Sequence, residues 1–332
     1  MSTHPNHPVF LLAPPDAMQP DFFILGAPRS GTTSLAHYLN QHPRVRMSTR
    51  KEPGYFHFVD SQRQPDFASL AISHGNDLLA ESQENYFRAR TMAVSSPEKY
   101  SELWVNAPAD ACRGEATPTY LCDPVALISI RERVTRCKSL IVLRNPIERA
   151  YSEYLQHLGK GLEEAETFPE ALSLEPVEVG DFWWGSRSYI RSGFYVDHVI
   201  HAVDLFGIEN VLILLTDDLA KEPQRTLERI ARFLEVDPDF EFDTSTKHNP
   251  AYVPKPDLAV RVARADGPLR TMARQVLPDK VRSRLWRKIM RRGEAEKPTL
   301  DGTTRAALVS VFRSSVGRLS TVIDRDLSHW LE

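Results

Sequence analysis

Apolar residues in this chain come in short unbroken runs, each ending in a charged or glycine-bearing tip and followed by a helical period. Phe22 to Leu25 (FFIL) is wholly apolar and runs into Gly26, the pattern of a strand buried on both faces of a parallel sheet. Thr32 to Gln41 then places Leu35 and Leu39 on one face, which predicts a helix. Val45 to Ser48 (VRMS) predicts a second short strand. Ser139 to Pro146 (SLIVLRNP) repeats the first arrangement, with proline at the start of its helix. Asn210 to Leu219 (NVLILLTDDL) repeats it again and leads into the helical EPQRTLERIARFLEV.

Strands alternating with helices predict an α/β fold: a doubly wound, mainly parallel central sheet with helices on both faces. Ligands of such sheets sit at the carboxyl ends of the strands, where Gly26 to Thr33, Arg144 and Thr216 to Asp218 would lie. The reading divides the chain into a loose tail over 1–20, an α/β domain over 21–256, and a helical extension over 257–332 packed on that same domain. Within the domain, 162–185 is acidic and then rich in Trp and Phe, which suits an inserted flap rather than sheet.

Composition narrows the classes. A length of 332 residues, a 26% charged fraction and a 42% hydrophobic fraction fit a globular enzyme. The net charge of −3 gives no general attraction to nucleic acid. Cys112, Cys122 and Cys137 are odd in number and lack the spacing of a disulfide frame or zinc site, which suits idle thiols in a reducing compartment. The first twenty residues lack a basic region and a long apolar run, and no stretch is long enough to cross a bilayer; the expectation is a cytoplasmic protein.

The chemistry is concentrated in GAPRSGTTS, Gly26 to Ser34. Glycine at the strand end permits a tight turn, and the N–H groups of Ser30 to Thr33 can converge on an anion at a helix start. Thr32, Thr33 and Ser34 add hydroxyls and Arg29 adds a cation. The lysine that a nucleotide triphosphatase places after the second glycine is absent; Thr32 stands there. The next strand tip delivers Arg144, with Ser152 two turns along its helix, a second anion site that needs no metal. Arg144 could alternatively pair with Glu148 or Glu153.

Together these residues resemble the sulfotransferases that use 3′-phosphoadenosine 5′-phosphosulfate (PAPS). GAPRSGTTSL is similar to their 5′-phosphosulfate loop and LRNPIERAYSEY to their 3′-phosphate motif, with Arg144 and Ser152 at the matching positions. KEPGYF (Lys51 to Phe56), GEATPTYL (Gly114 to Leu121) and RSGFY extend the resemblance, in order, across most of Asp21 to Pro254. It implies PAPS as co-substrate, 3′-phosphoadenosine 5′-phosphate (PAP) as product and no required metal. A sulfuryl group carries less charge than a phosphoryl group, so fixed cations and backbone dipoles can stabilise the leaving phosphate.

The resemblance also implies roles. Glu52 matches the general base of the glycosaminoglycan branch, and Lys51 would steady the sulfuryl or bridging oxygens; a surface Lys–Glu pair is the plain alternative. That branch has a histidine where this chain has Gly54 and a lysine where it has Ala116, which puts heparan-type acceptors in doubt and leaves His57 and Glu115 to assist or replace Glu52. Tyr195 would lie near the adenine or acceptor, or serve as a core tyrosine. Lys255, with Lys247 and His248 nearby, would cover the 3′-phosphate. Trp183 and Trp184 would line an acceptor pocket or pack the flap. The basic run Arg261 to Arg292 is either a solvated helix face or a dock for an acidic carrier protein or anionic glycan. The expected acceptor is a hydroxyl on a small molecule, carbohydrate or carrier-bound intermediate. Two competing functions remain at this level: a P-loop kinase of a small metabolite, and a non-catalytic module of the same fold that binds an anionic partner.

Overall fold

The computed structural model describes residues 19–59, 92–135, 137–160, 162–163, 165–175, 188–246 and 298–332. They fall into two compact units, divided after Leu143, with later segments assigned to one or the other.

The first unit carries a five-stranded sheet in the order β2-β3-β1-β4-β5. Its strands are β1 (Phe22–Gly26), β2 (Val45–Met47), β3 (Cys112–Ala116), β4 (Lys138–Leu143) and β5 (Val211–Leu215). Every neighbouring pair is parallel. Successive side chains of β1 point to opposite faces, and all five residues are buried. Phe22 and Ile24, with Leu140, Val142 and Leu214, join a core closed by α1 (Thr32–Leu39) and by a later helix, Pro223–Leu234, through Leu227, Ile230 and Leu234. On the opposite face Phe23 meets Phe56 at 5.6 Å and Tyr120 at 6.4 Å, ring centroid to centroid. Phe56 belongs to the one-turn helix α2 (Tyr55–Phe58). The apolar runs are therefore strands buried on both sides, as their composition required.

β3 is the strand that the hydrophobic pattern conceals. Its sequence, CRGEA, has no apolar run, yet it lies between β2 and β1. Two features make this possible. Gly114 has no side chain where a Cβ would stand 2.2 Å from the Phe22 ring and 2.7 Å from Met47 Sδ. Glu115 is fully buried but is met by hydroxyl donors, so its polarity is satisfied inside the unit.

The remaining helices of this unit follow local rules. Helix α3 (Pro97–Ser101) is capped by Ser96, and α4 (Pro124–Arg133) opens on proline beneath Asp123, whose carboxylate accepts the Val125 and Ala126 N–H groups. Helix α1 stops at Leu39, two residues short of the sequence expectation, because the Asn40 side chain accepts the Met47 N–H at 2.9 Å and turns the chain toward β2.

Among the described residues, the second unit is helical. Its elements are α5 (Pro146–Lys160), α6 (Phe168–Ser173) and, after the intervening α7 (Tyr195–Phe206), α8 (Thr216–Lys221) and α9 (Pro223–Leu234), the long α10 (Gly302–Val322); α8 and α9 belong to the first unit, and α7 joins it from Asp197. Asn145 caps α5 by accepting the Ile147 N–H and donates to the Trp330 carbonyl, both at 2.9 Å. Arg149 is wholly buried; it pairs with Glu153 at 2.7 Å and donates to the Ser188 and Tyr189 carbonyls. Gly193 lies against Phe312 of α10 and Pro146 of α5, where a Cβ would come within 2.9 Å of either.

The helical end of the chain is present in α10. The first part of the expected flap forms α6, whereas Trp183 and Trp184 lie outside the described residues. So do Lys247, His248, Lys255, the 256/257 boundary, the basic run 261–292 and the tail over 1–18. Cys112, Cys122 and Cys137 are free thiols. Among the described residues, no helix is long and apolar enough to cross a membrane.

Candidate active site

The chain leaves β1 at Gly26 and enters α1 at Thr32 through a loop built to expose its backbone. The Ala27 N–H is held by the Val142 carbonyl at 2.7 Å, and the Ser30 N–H bonds the Ala27 carbonyl at 3.2 Å. Thr216, just past β5, has its hydroxyl 3.2 Å from the Ser30 carbonyl and 3.1 Å from that of Leu143, tying the loop to the tips of β4 and β5. Arg29 and Gly31 both adopt left-handed backbone, at φ 67° and 83°. Glycine accepts that geometry freely, whereas for Arg29 it costs on the order of 1 kcal/mol or more and persists only because the surroundings impose it.

The loop has the properties of an anion cradle. The N-cap residue Gly31 has no side chain to cap α1, so the first-turn N–H groups carry the partial positive charge of a helix start. Among the described residues, a Cβ added at Gly31 would meet nothing within 4 Å, so they leave space open in front of that turn. The Ser30 hydroxyl is fully buried and has no hydrogen-bond partner among the described residues, which leaves a donor to be satisfied by a ligand. Thr32 is buried beside it, and Thr33 and Ser34 are half-buried. Arg29 through Ser34 are therefore contiguous across the end of the loop and the first turn of α1.

Lys51 and Glu52 stand at the same edge of the sheet. The Glu52 N–H bonds the Ala116 carbonyl at 3.2 Å, Ala116 pairs with Ile24, and β1 ends two residues later at Gly26. Adjacent strands lie about 4.8 Å apart, so the turn carrying Glu52 ends one strand over from the cradle. Glu52 also has left-handed backbone, φ 52°. Arg29 and Glu52 are two of the four non-glycine residues with positive φ among those described. The Lys51 ammonium and Glu52 carboxylate form a half-exposed pair at 3.1 Å. Solvent screening leaves such a pair worth little to stability, so both groups can turn to a ligand at small cost.

Beneath that turn lies a buried polar network that sequence reasoning did not find. Thr117 donates to one Glu115 carboxylate oxygen at 2.6 Å and Tyr100 donates to the other. The Gly54 N–H reaches the Thr117 hydroxyl at 3.4 Å and the Phe56 N–H reaches the Tyr120 hydroxyl at 3.2 Å. Tyr55 stacks on Tyr100 with centroids 4.4 Å apart. Burial pushes the Glu115 carboxyl up to about 7, against 4.5 for an ordinary glutamate, although the Thr117, Tyr100 and Tyr120 hydroxyls oppose the shift. A raised folded-state pKa means that the native protein holds a proton which the unfolded chain has lost. Stability from this group is full below about pH 4.5 and declines as pH rises through 7, by roughly 3 kcal/mol in all.

The two alternative bases are placed poorly for that task. Glu115 is fully buried with both oxygens occupied. His57 is buried, its Nδ1 2.6 Å from Asp123 and its Nε2 2.9 Å from Thr119.

Arg144, Ser152 and Tyr195 belong to the second unit. Arg144 precedes α5, and its ion pair with Glu148 is long, 3.9 Å, while Glu148 also accepts from Arg305. Glu153 is engaged by Arg149 at 2.7 Å, so the second pairing considered for Arg144 goes to another arginine. Ser152 is buried on α5, and Tyr195 is buried at the first position of α7.

A model of the sulfotransferase domain matches residues 19–250. The chain belongs to the sulfotransferase domain family. Among its relatives, the bifunctional heparan sulfate N-deacetylase/N-sulfotransferase 1 of Caenorhabditis briggsae is 26% identical over 244 residues, covering 70% of this chain and 24% of that protein. Carbohydrate sulfotransferase 15 of Rattus norvegicus is 26% identical over 255 residues, covering 66% of this chain and 44% of the relative. The sulfotransferase domain thus spans a quarter to under half of the length of these relatives. In fold, the crystal structure of a sulfotransferase from Alicyclobacillus acidocaldarius is similar with a TM-score of 0.65 at 24% identity, covering 95% of this chain and all of that one.

Proposed function

We propose that the protein transfers a sulfuryl group from PAPS to an acceptor hydroxyl, with Glu52 as general base. The observation that carries this reading is the cradle formed by Arg29 to Ser34, with its open space at Gly31 and its unsatisfied buried Ser30 hydroxyl, one strand from the Lys51–Glu52 turn. Family membership supports it.

In this reading the loop Arg29 to Ser34 would hold the 5′-phosphosulfate end of the donor, and Arg144 and Ser152 the 3′-phosphate, with Tyr195 and Lys255 completing the nucleotide site. Bound there, the donor supplies a sulfuryl group on a phosphate leaving group. Glu52 takes the acceptor hydroxyl proton, which makes the oxygen nucleophilic as it attacks. Lys51 and the Arg29 guanidinium hold negative charge on the transferring and departing oxygens. The first-turn N–H groups of α1 are fixed by the helix, so they need no reorientation during reaction.

The acceptor class follows from the relatives and from this chain's departures. The relatives' names specify heparan sulfate and carbohydrate. Here Gly54 holds a left-handed φ of 64°, which a side-chain-bearing residue rarely adopts, and Ala116 is buried and uncharged. Neither position offers a charged contact to a polyanionic glycan. A neutral hydroxyl, on a small molecule or a lightly charged carbohydrate, suits the site better. The test is transfer of labelled sulfate from PAPS to a panel of phenols, alcohols, neutral sugars and heparan fragments. Transfer to neutral hydroxyls above heparan is the expected outcome; phosphoryl transfer from ATP with no sulfuryl transfer would overturn the reading.

A further inference from the structure

We propose that Glu115 is a positioning residue for the Lys51–Glu52 turn: its ionised carboxylate orients the Thr117 and Tyr100 hydroxyls so that the backbone from Glu52 to Phe56 is fixed in its working geometry. The inference rests on the proposed function in one respect, that Glu52 is the group being positioned.

The wiring is short and directional. With Glu115 ionised, both its oxygens accept, so Thr117 and Tyr100 must spend their hydroxyl protons on it. The Thr117 oxygen then presents only lone pairs, and it accepts the Gly54 N–H two residues from Glu52. Tyr100, fixed at its hydroxyl, offers its ring face to Tyr55. The Phe56 N–H is taken by Tyr120, and the Glu52 N–H by Ala116, the residue after Glu115. Protonation of Glu115 reverses part of this. A carboxylic acid carries its own O–H, which competes with the Gly54 N–H for the Thr117 oxygen and frees the Thr117 proton to turn away.

The surroundings make Glu115 the titrating member of the group. Tyr100 on α3 and Tyr120 after β3 are both pushed well above the usual phenol range, chiefly by burial, and remain donors. Cys137, ahead of β4, is pushed up to about 12 by burial, with Arg131 of α4 opposing, and stays a neutral thiol. Among the described residues, no lysine or arginine pairs with Glu115. Its proton leaves near pH 7, so the turn switches from loosely to firmly held across the neutral range.

The experiment is Glu115→Gln, an amide that keeps the shape and mimics the protonated state. Activity near pH 8 should fall by about 10- to 100-fold, to the level of the wild type below its transition, with kcat rather than donor KM carrying the loss. The rise of activity centred near pH 7 in the wild type should vanish. A second readout needs no activity. Hydrogen-exchange protection factors of the 52–58 backbone should rise with pH through the same range in the wild type and stay flat in the variant, whereas the global unfolding free energy should fall with pH through that range in the wild type and lose that fall in the variant. A Tyr100→Phe variant should lower kcat in part and retain the pH transition, since the Thr117 hydroxyl still donates to Glu115. Wild-type-like rate and pH profile in Glu115→Gln would overturn the proposal. Flat protection at 52–58 in the wild type would overturn it as well. If exchange behaves as expected but Glu52→Gln retains full activity, the switch stands and the base assignment fails.

Discussion

Glu52→Gln lowers kcat for sulfuryl transfer by about 10²–10⁴-fold and leaves the affinity for PAP unchanged, measured by steady-state kinetics at saturating donor and by calorimetry. The split follows from position. Glu52 stands on the turn bonded to the end of β3, half-exposed and, among the described residues, ion-paired with its neighbour Lys51, whereas the proposed nucleotide cradle is made by the loop after β1. An amide cannot accept the acceptor proton but occupies the same volume, so the donor should not register the change. A loss of PAP affinity equal to the loss of rate would mean that Glu52 organises the cradle instead. Retained activity would pass the base role elsewhere, and neither His57 nor Glu115 has an unoccupied atom of the ordinary kind to offer.

Arg144→Ala weakens PAP binding by about 10- to 100-fold, the range expected when a hydrogen bond between charged groups is removed. The reason lies in how the arginine is held. Its ion pair with Glu148 is long, 3.9 Å, and Glu148 also accepts from Arg305. The same substitution should leave adenosine 5′-phosphate, which lacks the 3′-phosphate, bound as in the wild type. Equal losses for the two nucleotides would place Arg144 outside the 3′-phosphate site.

Much of the fold was legible because parallel strands buried on both faces must be continuously apolar. FFIL, SLIVL and VLILL all became strands whose ends set the loop and the Arg144 turn. The loop between β1 and α1 was equally legible, since its glycines and hydroxyls are contiguous in sequence. β3 was not, because Gly114 and Glu115 carry no apolar signal; their fitness for a central strand depends on Phe22 and Tyr100, which lie elsewhere along the chain, and on the Thr117 hydroxyl, which gives no apolar signal either. The support of Glu52 was hidden for the same reason. It runs through hydroxyl contacts between segments some sixty residues apart, as in Gly54 to Thr117 and Phe56 to Tyr120. Glu115 was noticed only as a possible substitute for Glu52, and its burial gives it a different part to play.

The central claim is that this chain holds a nucleotide carrying two separate phosphate groups through fixed protein cations and backbone N–H groups. Calorimetric titration with PAP in the presence of a chelator tests it most directly. The account expects saturable binding of PAP without a divalent metal and no binding of ATP under the same conditions. Magnesium-dependent binding of ATP, with PAP failing to bind, would contradict it.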